Sequence, residues 1–386
     1  MSMKPGQKTL FLLCGEPSGE AYAARVAREF RRRHPGAPME GIGGARLADE
    51  GVKLLLDYGG ISVVGVTEVL THLPAIRSAL AAATDRVLRP DIGAVVLVDY
   101  PDFNFRVGLS AWRRGVPVIY YIPPQVWAWR TGRAKTLAKF TRGAVVLFPF
   151  EETLLRKFGV NAVFAGHPLL EELAPFLDAD PDPARFGLPE GKTVVGLLPG
   201  SRPGEIEAHL PVLLSAAEEV AREHPDVHFA LPVARPALRE RIARRLSGTS
   251  LPLTVVDEGR HLLFRGMTAA MAVSGTVTLE LALLGVPSVI VYRTSWVTYQ
   301  IGRRLAKVQN VGLPNIVAGE RFLPELIQDD CTAGRIAAAL GGMLSDGPRR
   351  LGLRARCLSL RDRLRGPGPT GAVVDMLDRE AAGAWA

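Results

Sequence analysis

The sequence has few cysteines and lacks the cysteine spacings that mark two common classes of site. Cys14, Cys331 and Cys357 are far apart and form no Cys-x-x-Cys pair, which argues against a disulfide framework and against a cysteine zinc site. We therefore expect no bound metal and a reducing, cytoplasmic compartment. Low-complexity tracts are also absent, which argues against a long disordered region.

Long uninterrupted apolar runs are missing as well. Residues 1–7 are polar and short, so we expect no secretory signal. The longest apolar stretch, 276–292, is interrupted by Glu280 and by the turn at 285–287. This pattern predicts a helix, a turn and a strand rather than a membrane span.

Acidic residues are fewer than basic ones. The 47 lysines and arginines exceed the 39 acids and give a formal charge of +8, which indicates attraction to an anionic partner. Nucleic acid, a phosphorylated substrate and an acidic membrane face all fit this charge, and composition does not choose among them.

Short β-rich runs alternate with longer helix-like stretches along all 386 residues. This alternation predicts an α/β protein with parallel sheets, and the length predicts two domains. The two halves resemble Rossmann domains that would enclose a cleft. The predicted boundaries are a first domain at 1–170, a proline-rich linker at 171–190, a second domain at 191–345, and a C-terminal helical segment at 346–386 that packs back on the first domain.

The strand and helix predictions follow from the apolar periodicity. Predicted strands are 9–14, 40–42, 92–98, 116–121, 144–147 and 162–164 in the first half, and 193–198, 227–231, 253–256, 270–273 and 288–291 in the second. Predicted helices of the first half are 18–33, 66–88, 103–114 and 150–158.

A carboxylate follows the apolar strand 92–98 directly. Ligands of open α/β sheets bind outside the carboxyl ends of the strands, so Asp99 is the first candidate for catalysis. Asp102 follows a proline and precedes a helical stretch, so we predict that it caps that helix. Asp99 has no such local role and can act as a general base.

Two further turns carry candidate ligand groups at strand ends. The turn at 15–20 contains Glu16, with Ser18 as a predicted helix cap, but it matches neither the Gly-x-Gly-x-x-Gly nor the Walker pattern. A tight βα turn and a ligand contact fit it equally well. In the second half, Arg202 follows the strand 193–198; an arginine fork suits a diphosphate, although most loop arginines are simply solvated.

The segment Ser274-Gly275-Thr276 is the stronger diphosphate candidate. Small donors and free N–H groups lie there at the start of a helix, whose dipole favours negative charge. Glu280 follows one turn later and could accept hydrogen bonds from a ribose. An ordinary helix cap followed by a solvated glutamate is the alternative interpretation.

Two segments could face lipid or an anionic ligand. Trp127 shortly precedes Arg130, which begins a basic run that extends to Arg142. The alternative interpretation is that the aromatic residues pack in the core and the charges are solvated. Apolar residues at helical spacing follow at 66–80, either as a core-facing stripe or as a helix that dips into a bilayer. The stripe comprises Val66, Val69, Leu70, Leu73 and Ile76, with Leu80 one turn later.

Taken together, these segments resemble the lipid-A-disaccharide synthase family, inverting glycosyltransferases of the GT-B fold. Each motif alone is weak, but their order along nearly the whole chain is specific. The matching segments are Gly15-Glu16-Pro17-Ser18-Gly19-Glu20, Gly41-Ile42-Gly43-Gly44, 64–70, Asp99-Tyr100-Pro101-Asp102-Phe103-Asn104, 126–130, Gly166-His167-Pro168, Leu198-Pro199-Gly200-Ser201-Arg202, Ser274-Gly275-Thr276 with Glu280, and Leu313-Pro314-Asn315.

The resemblance implies that the chain joins UDP-2,3-diacylglucosamine to 2,3-diacylglucosamine 1-phosphate and releases UDP, with no cofactor and no nucleic acid. Asp99 matches the proposed catalytic aspartate, and Glu16 and Ser18 match the loop facing the reaction centre, as do Trp127 and Arg130. The UDP-binding matches are Arg202, Ser274, Gly275, Thr276, Glu280 and Asn315.

The resemblance also implies peripheral attachment to the inner face of the inner membrane, which favours the bilayer interpretation of the 66–80 stripe. Glu20 departs from the family, which commonly has aspartate there. The oligomeric state stays open, a homodimer included. The alternatives are a UDP-sugar 2-epimerase of the same fold and a non-catalytic nucleotide-sugar-binding protein.

Overall fold

The computed structural model describes residues 7–58, 66–126, 132–294, 310–381 and 383–385. Internal contacts divide the chain into two compact units. The first unit combines the chain up to Pro168 with the residues from Arg365 onward, and the second comprises Leu169–Leu364. The segment predicted as a linker, 171–190, therefore belongs to the second unit, and the C-terminal segment is divided between the two.

The sheet of the first unit has seven parallel strands among the described residues, in the order β3-β2-β1-β4-β5-β6-β7. Every residue of the central strands β1 and β4 is buried. The strand order reverses between these two strands, and in open α/β sheets ligands bind at such a point. The bounds are β1 Thr9–Cys14, β2 Met39–Gly43, β3 Lys53–Asp57, β4 Ile92–Val98, β5 Val118–Tyr121, β6 Gly143–Val145 and β7 Ala162–Val163.

The second unit contains a six-stranded parallel sheet within the part of the chain that is described, in the order β10-β9-β8-β11-β12-β13. Its order reverses between β8 and β11, which are paired. The bounds are β8 Thr193–Leu198, β9 Val227–Pro232, β10 Leu253–Val256, β11 Ala269–Val273, β12 Ser288–Tyr292 and β13 Glu325–Ile327.

Helices connect the strands of both sheets. In chain order they are α1 Pro17–Arg33, α2 Ala45–Asp49, α3 Val66–Val87, α4 Pro101–Arg113, α5 Gly132–Phe140, α6 Pro149–Lys157, α7 Pro168–Leu173, α8 Pro203–Glu223, α9 Arg239–Leu246, α10 Arg260–Arg265, α11 Thr276–Leu283, α12 Leu313–Ala318, α13 Ala333–Ser345, α14 Gly347–Leu364 and α15 Pro369–Glu380.

The two strands missing from the sequence prediction, β3 and β13, are both at sheet edges. β3 has only three apolar residues between Lys53 and Asp57, and β13 is three residues long. Runs this short carry too little periodicity to be recognised. The prediction of two α/β domains, each with a parallel sheet, is confirmed.

Alternate residues of β1 face two different cores in the first unit. Leu10 and Leu12 pack in a cluster with Phe30 of α1, whereas Phe11 and Leu13 pack in a second cluster with residues of α3, α4 and α5. Because both faces are covered, the strand reads as an unbroken apolar run rather than as an alternating pattern.

Helix α15 packs on α1 and so returns the C-terminal end to the first unit. Arg33 Nη1 lies 2.6 Å from Asp375 Oδ1, and His34 Nε2 lies 2.7 Å from Asp378 Oδ1. Helix α15 thus lies in the first unit, while α14 belongs to the second.

Glu20 is a buried carboxylate that joins α1 to the start of α2. Its Oε1 accepts hydrogen bonds from the backbone N–H groups of Gly44, at 2.9 Å, and Leu47, at 3.2 Å. Its Oε2 accepts one from the Tyr58 hydroxyl at 3.0 Å. Glu20, which stands where the family commonly has aspartate, therefore caps the start of α2 from a position distant in sequence.

We expect Glu20→Ala to destabilise the protein by about 1–3 kcal/mol, because it leaves buried donors without an acceptor. The thermal unfolding midpoint should fall clearly. Glu29→Ala is the matched control on the same helix: Glu29 pairs with exposed Arg32 and with Arg33, and ion pairs at the surface contribute about 0–1 kcal/mol each. Equal shifts in the two variants would contradict the capping role of Glu20.

Candidate active site

Asp99 lies where the sequence predicts, directly after β4 at the carboxyl edge of the first sheet. Its side chain is partly buried. Its backbone N–H donates to the carbonyl of Tyr121 at the end of β5, with an N···O distance of 3.2 Å. The ladder between β4 and β5 therefore fixes the backbone of Asp99 on one side.

The backbone at Asp99 is strained. Asp99 has φ 49° and Tyr100 has φ 45°, both in the left-handed region. Such a conformation costs about 1–3 kcal/mol per residue outside glycine and persists only where the surroundings enforce it. Ile122, after the neighbouring β5, has φ 60°, so strain is concentrated at this edge of the sheet.

Two buried side chains donate hydrogen bonds to the backbone carbonyl of Asp99, where the backbone is strained. Asn104 Nδ2 donates to it at 2.6 Å, and the Tyr120 hydroxyl donates at 2.8 Å. Both residues are fully buried. Sequence reasoning assigned neither a role; the available signal was a polar asparagine between the buried apolar residues Phe103 and Val107 of α4.

Glu16 is the charged neighbour of Asp99. Burial, together with the negative charge of Glu16, raises the pKa of Asp99 to about 6. The turn that carries Glu16 packs closely on the Asp99 loop: a Cβ at Gly15 would lie 2.4 Å from Cγ of Tyr100. Glycine is required there because any side chain would displace that ring.

Prolines set the starts of the two helices beside Asp99, and two capping predictions are wrong as a result. Helix α1 begins at Pro17, so Glu16 and not Ser18 is the residue at the cap position. Helix α4 begins at Pro101, so Tyr100 takes that position and Asp102 makes no capping hydrogen bond. Proline favours the first helical position because its ring presets φ.

Asp102 is exposed and forms an ion pair with Arg133 of α5. The Arg133 guanidinium also lies 5.6 Å from the ring centre of Phe105. Trp127 and Arg130 lie outside the described residues, and the side chain of Ser18 is not described.

In the second unit, Arg202 is the cap residue of α8 and precedes Pro203. Its side chain is about half exposed, and its Nη1 lies 3.4 Å from Glu205 Oε1. Glu205 Oε2 accepts the backbone N–H of Ser201 at 2.8 Å. The glutamate thus shapes the loop and leaves most of the guanidinium open to solvent.

The segment Ser274-Gly275-Thr276 opens α11 at the carboxyl end of β11. Ser274 Oγ donates to the carbonyl of Val311 at 3.0 Å, which joins this segment to the loop before α12. Gly275 has extended φ and ψ, and a Cβ there would meet nothing within 4 Å. The fold itself does not require glycine at this position, so close approach of a ligand is a reason for it.

Glu280 is buried on α11 beside α10. Its Oε2 lies 3.3 Å from His261 Nε2 and 3.6 Å from Arg260 Nη2. Within the described residues this oxygen has no hydrogen-bond partner. The solvated glutamate of the alternative interpretation is therefore wrong, since Glu280 is 5% exposed.

Asn315 is fully buried, and its side-chain amide is used inside the second unit. Nδ2 donates to the Leu323 carbonyl and to Glu325 Oε1, and Oδ1 accepts from the N–H groups of Phe322 and Leu323, all at 2.8–3.0 Å. Its side chain therefore presents no free polar group to a nucleotide.

Glu325 holds the loop before α12, a role that the sequence did not predict. Its carboxylate accepts the N–H groups of Val311, at 3.0 Å, and Gly312, at 2.9 Å. The side chain has no exposed surface. A lone glutamate in a three-residue strand gave no sequence signal for this role.

The described half of the 66–80 stripe packs on protein. Ile76 and Leu80 contact the core cluster of the first unit, and Leu73 is half-buried. For Ile76 and Leu80 this packing favours the core interpretation. The side chains of Val66, Val69 and Leu70 lie outside the described set. No helix within the described ranges is long and apolar enough to span a bilayer.

Comparison with known proteins agrees with the order of motifs along the chain. The family model for lipid-A-disaccharide synthetase matches residues 10–365. The chain belongs to the lipid-A-disaccharide synthase family. It is thus a glycosyltransferase of lipid A biosynthesis.

Relatives of this family and solved structures match over nearly the whole chain. The lipid-A-disaccharide synthases of Geobacter sulfurreducens and Geobacter metallireducens are 42% and 40% identical, covering 96% and 97% of this chain and 98% of each relative. A putative UDP-N-acetylglucosamine 2-epimerase from Listeria monocytogenes superposes with a TM-score of 0.65 at 10% identity, covering 95% of each chain. This last likeness shows the shared GT-B fold alone.

We expect Asn104→Ala to lower kcat of this lipid-A-disaccharide synthase family member with little change in either KM. The variant removes a donor to the Asp99 carbonyl and so loosens the backbone that carries the carboxylate, at a cost of about 1–3 kcal/mol in the transition state. Steady-state kinetics measure it. Tyr120→Phe, which removes the other donor, should act in the same direction; normal kcat in both variants would contradict the positioning of Asp99 by its carbonyl.

We expect Glu16→Gln to extend activity to lower pH. A base acts in its ionised form, so turnover should fall as pH drops through the pKa of Asp99, about 6. Removing the negative charge of Glu16 stabilises ionised Asp99 and lowers that pKa. The measurement is the acidic limb of the kcat/KM profile, and Asp102→Asn, at an exposed carboxylate, should leave its midpoint unchanged.

Proposed function

We propose that the chain transfers the sugar of UDP-2,3-diacylglucosamine to the 6-hydroxyl of 2,3-diacylglucosamine 1-phosphate, forming a β(1→6) linkage and releasing UDP. The observation that carries this proposal is Asp99, a carboxylate with a pKa of about 6 held at the sheet edge by strained, doubly hydrogen-bonded backbone. Such a group is ionised at neutral pH and is a stronger base than a free aspartate.

In this mechanism Asp99 accepts the proton of the acceptor hydroxyl as its oxygen attacks the anomeric carbon. The bond from that carbon to the diphosphate oxygen breaks, and its electron pair leaves with UDP. Attack and departure on opposite faces of the sugar invert the anomeric centre in a single displacement. The raised pKa favours the proton transfer because it lies near the working pH.

The second unit supplies the groups proposed to bind UDP. The amide N–H groups at the start of α11 and the open guanidinium of Arg202 offset charge on the departing diphosphate. Preorganised donors of this kind contribute about 2.7–4 kcal/mol each to a transition state. Glu280 Oε2, which is without a hydrogen bond among the described residues, can accept one from a ribose hydroxyl.

Peripheral attachment to the inner face of the inner membrane is part of the proposal. Helices α4 and α5 are neighbours, and their exposed positions carry Arg106, Arg113, Lys135 and Lys139, with Asp102 as the sole acid in the two helices. Exposed Trp112 lies under Lys139 Nζ, 5.0 Å from the ring centre. Basic residues beside an exposed tryptophan suit anionic headgroups.

We expect Asp99→Asn to lower turnover by at least about 100-fold, since general base catalysis contributes that much or more, while UDP binds as before. The assay incubates detergent-solubilised donor and acceptor and follows disaccharide and UDP together; calorimetry follows UDP binding. Asp102→Asn serves as the matched control and should keep full activity.

Three outcomes would overturn the proposed function. Full turnover in Asp99→Asn would remove the base. UDP binding without disaccharide in the unaltered protein would indicate a binding protein. Interconversion of soluble UDP-N-acetylglucosamine with its 2-epimer, with no lipid acceptor present, would indicate an epimerase.

A further inference from the structure

Helix α14 donates arginine hydrogen bonds to the carboxyl end of α11. Arg361 Nε lies 2.7 Å from the carbonyl oxygen of Leu283, the last residue of α11. Longer contacts reach the carbonyls of the two following residues. Arg265 of α10 lies 3.4 Å from Leu284 O, and Arg354 of α14 lies 3.5 Å from Gly285 O. The last carbonyls of a helix have no partner within it, so a guanidinium satisfies them and offsets the negative end of the dipole.

The same helix holds the carboxyl end of α12. Arg363 Nη1 donates to the carbonyls of Val317, at 3.2 Å, and Ala318, at 2.7 Å. These are the last two residues of α12. Two arginines that are two positions apart on α14 therefore fix the ends of two different helices.

The opposite ends of α11 and α12 are linked at the proposed nucleotide site. Thr276 begins α11, and the Ser274 hydroxyl two residues earlier bonds the Val311 carbonyl just ahead of α12. Helix α11 is about 12 Å long at 1.5 Å per residue, and its residues 278–283 are buried. Because α11 is short and packed, we expect a shift of one end to reach the other.

We propose that Arg361 and Arg363 are positioning residues for nucleotide binding, holding the far ends of α11 and α12 so that the Ser274-Gly275-Thr276 loop stays in its binding geometry. The inference rests on the proposed UDP role of that loop. It predicts that residues distant in sequence, with no contact to the nucleotide, determine the affinity for UDP and for the UDP-sugar.

Arg350 provides a matched control on the same helix. Its Nη1 donates to the carbonyls of Met343, at 3.2 Å, and Leu344, at 2.9 Å, near the end of α13. The chemistry is the same as at Arg361, but α13 begins at Ala333, away from the Ser274 loop in sequence and without a recorded bond to it among the described residues. Loss of Arg350 and loss of Arg361 with Arg363 should both reduce stability. Only the loss of Arg361 and Arg363 should reduce nucleotide affinity.

The experiment measures UDP binding by calorimetry on the full chain, with thermal midpoints for every variant. The double variant Arg361→Ala with Arg363→Ala should raise the Kd of UDP about tenfold, which corresponds to about 1.4 kcal/mol. It should raise KM for the UDP-sugar and leave KM for the lipid acceptor unchanged. Arg350→Ala should lower the thermal midpoint without changing either nucleotide constant. Arg361→Lys, which keeps one charged donor, should recover most of the affinity that Arg361→Ala loses.

Several results would overturn the inference. The first is equal UDP affinity in the unaltered protein and the double variant. The second is a loss of UDP affinity in Arg350→Ala as large as in the double variant, and the third is no recovery of UDP affinity in Arg361→Lys relative to Arg361→Ala. Should the double variant fail to fold, the single variants Arg361→Ala and Arg363→Ala decide the matter: each should raise the Kd of UDP, and an unchanged Kd in both would overturn the inference. Failure of the unaltered protein to bind UDP would instead contradict the proposed function, so the two failures are distinguishable.

Discussion

Parallel pairing is the constraint on which the rest of each unit depends. Because every recorded pairing in both sheets is parallel, each connection must return over a face, and both faces become covered. The turns that begin the helices then gather at one edge of each sheet. Glu16 and Asp99 follow β1 and β4, Arg202 and Ser274 follow β8 and β11, and each pair of strands flanks the point where the order reverses.

Proline at the first helical position shapes these turns in a common way. Helices α1, α4 and α8 all begin with proline, and none has a side-chain cap. The residue before each proline is thereby kept out of the helix. For Glu16 and Arg202 the result is ordinary extended backbone, whereas Tyr100 adopts a left-handed conformation that Asn104 and Tyr120 stabilise through the Asp99 carbonyl. Buried partners thus hold the strained backbone from which the Asp99 carboxylate projects.

Several charged side chains of the second unit bind backbone groups of the unit itself. The carboxylate of Glu325 binds the loop before α12, and arginines of α14 bind the ends of α11, α12 and α13. Arg350, Arg361 and Arg363, which count toward the formal charge of +8, therefore also serve as hydrogen-bond donors to helix ends. The same contacts explain why Asn315, which the motif placed beside the nucleotide, is committed to Leu323 and Glu325 instead.

The sequence by itself determined the two parallel α/β sheets, the strands at their centres, and the place of Asp99, Arg202 and Ser274 at strand ends. Buried strands and helix starts leave local signals in apolar runs and in glycine, proline and serine. Tertiary structure alone decided the partners: burial and then the charge of Glu16 as the causes of the raised pKa of Asp99, Glu20 as a cap for α2, Asn315 as an internal amide, and arginines of α14 as anchors for α11 and α12. Those contacts join residues far apart in the chain, and periodicity over a few residues carries no record of which distant groups will meet.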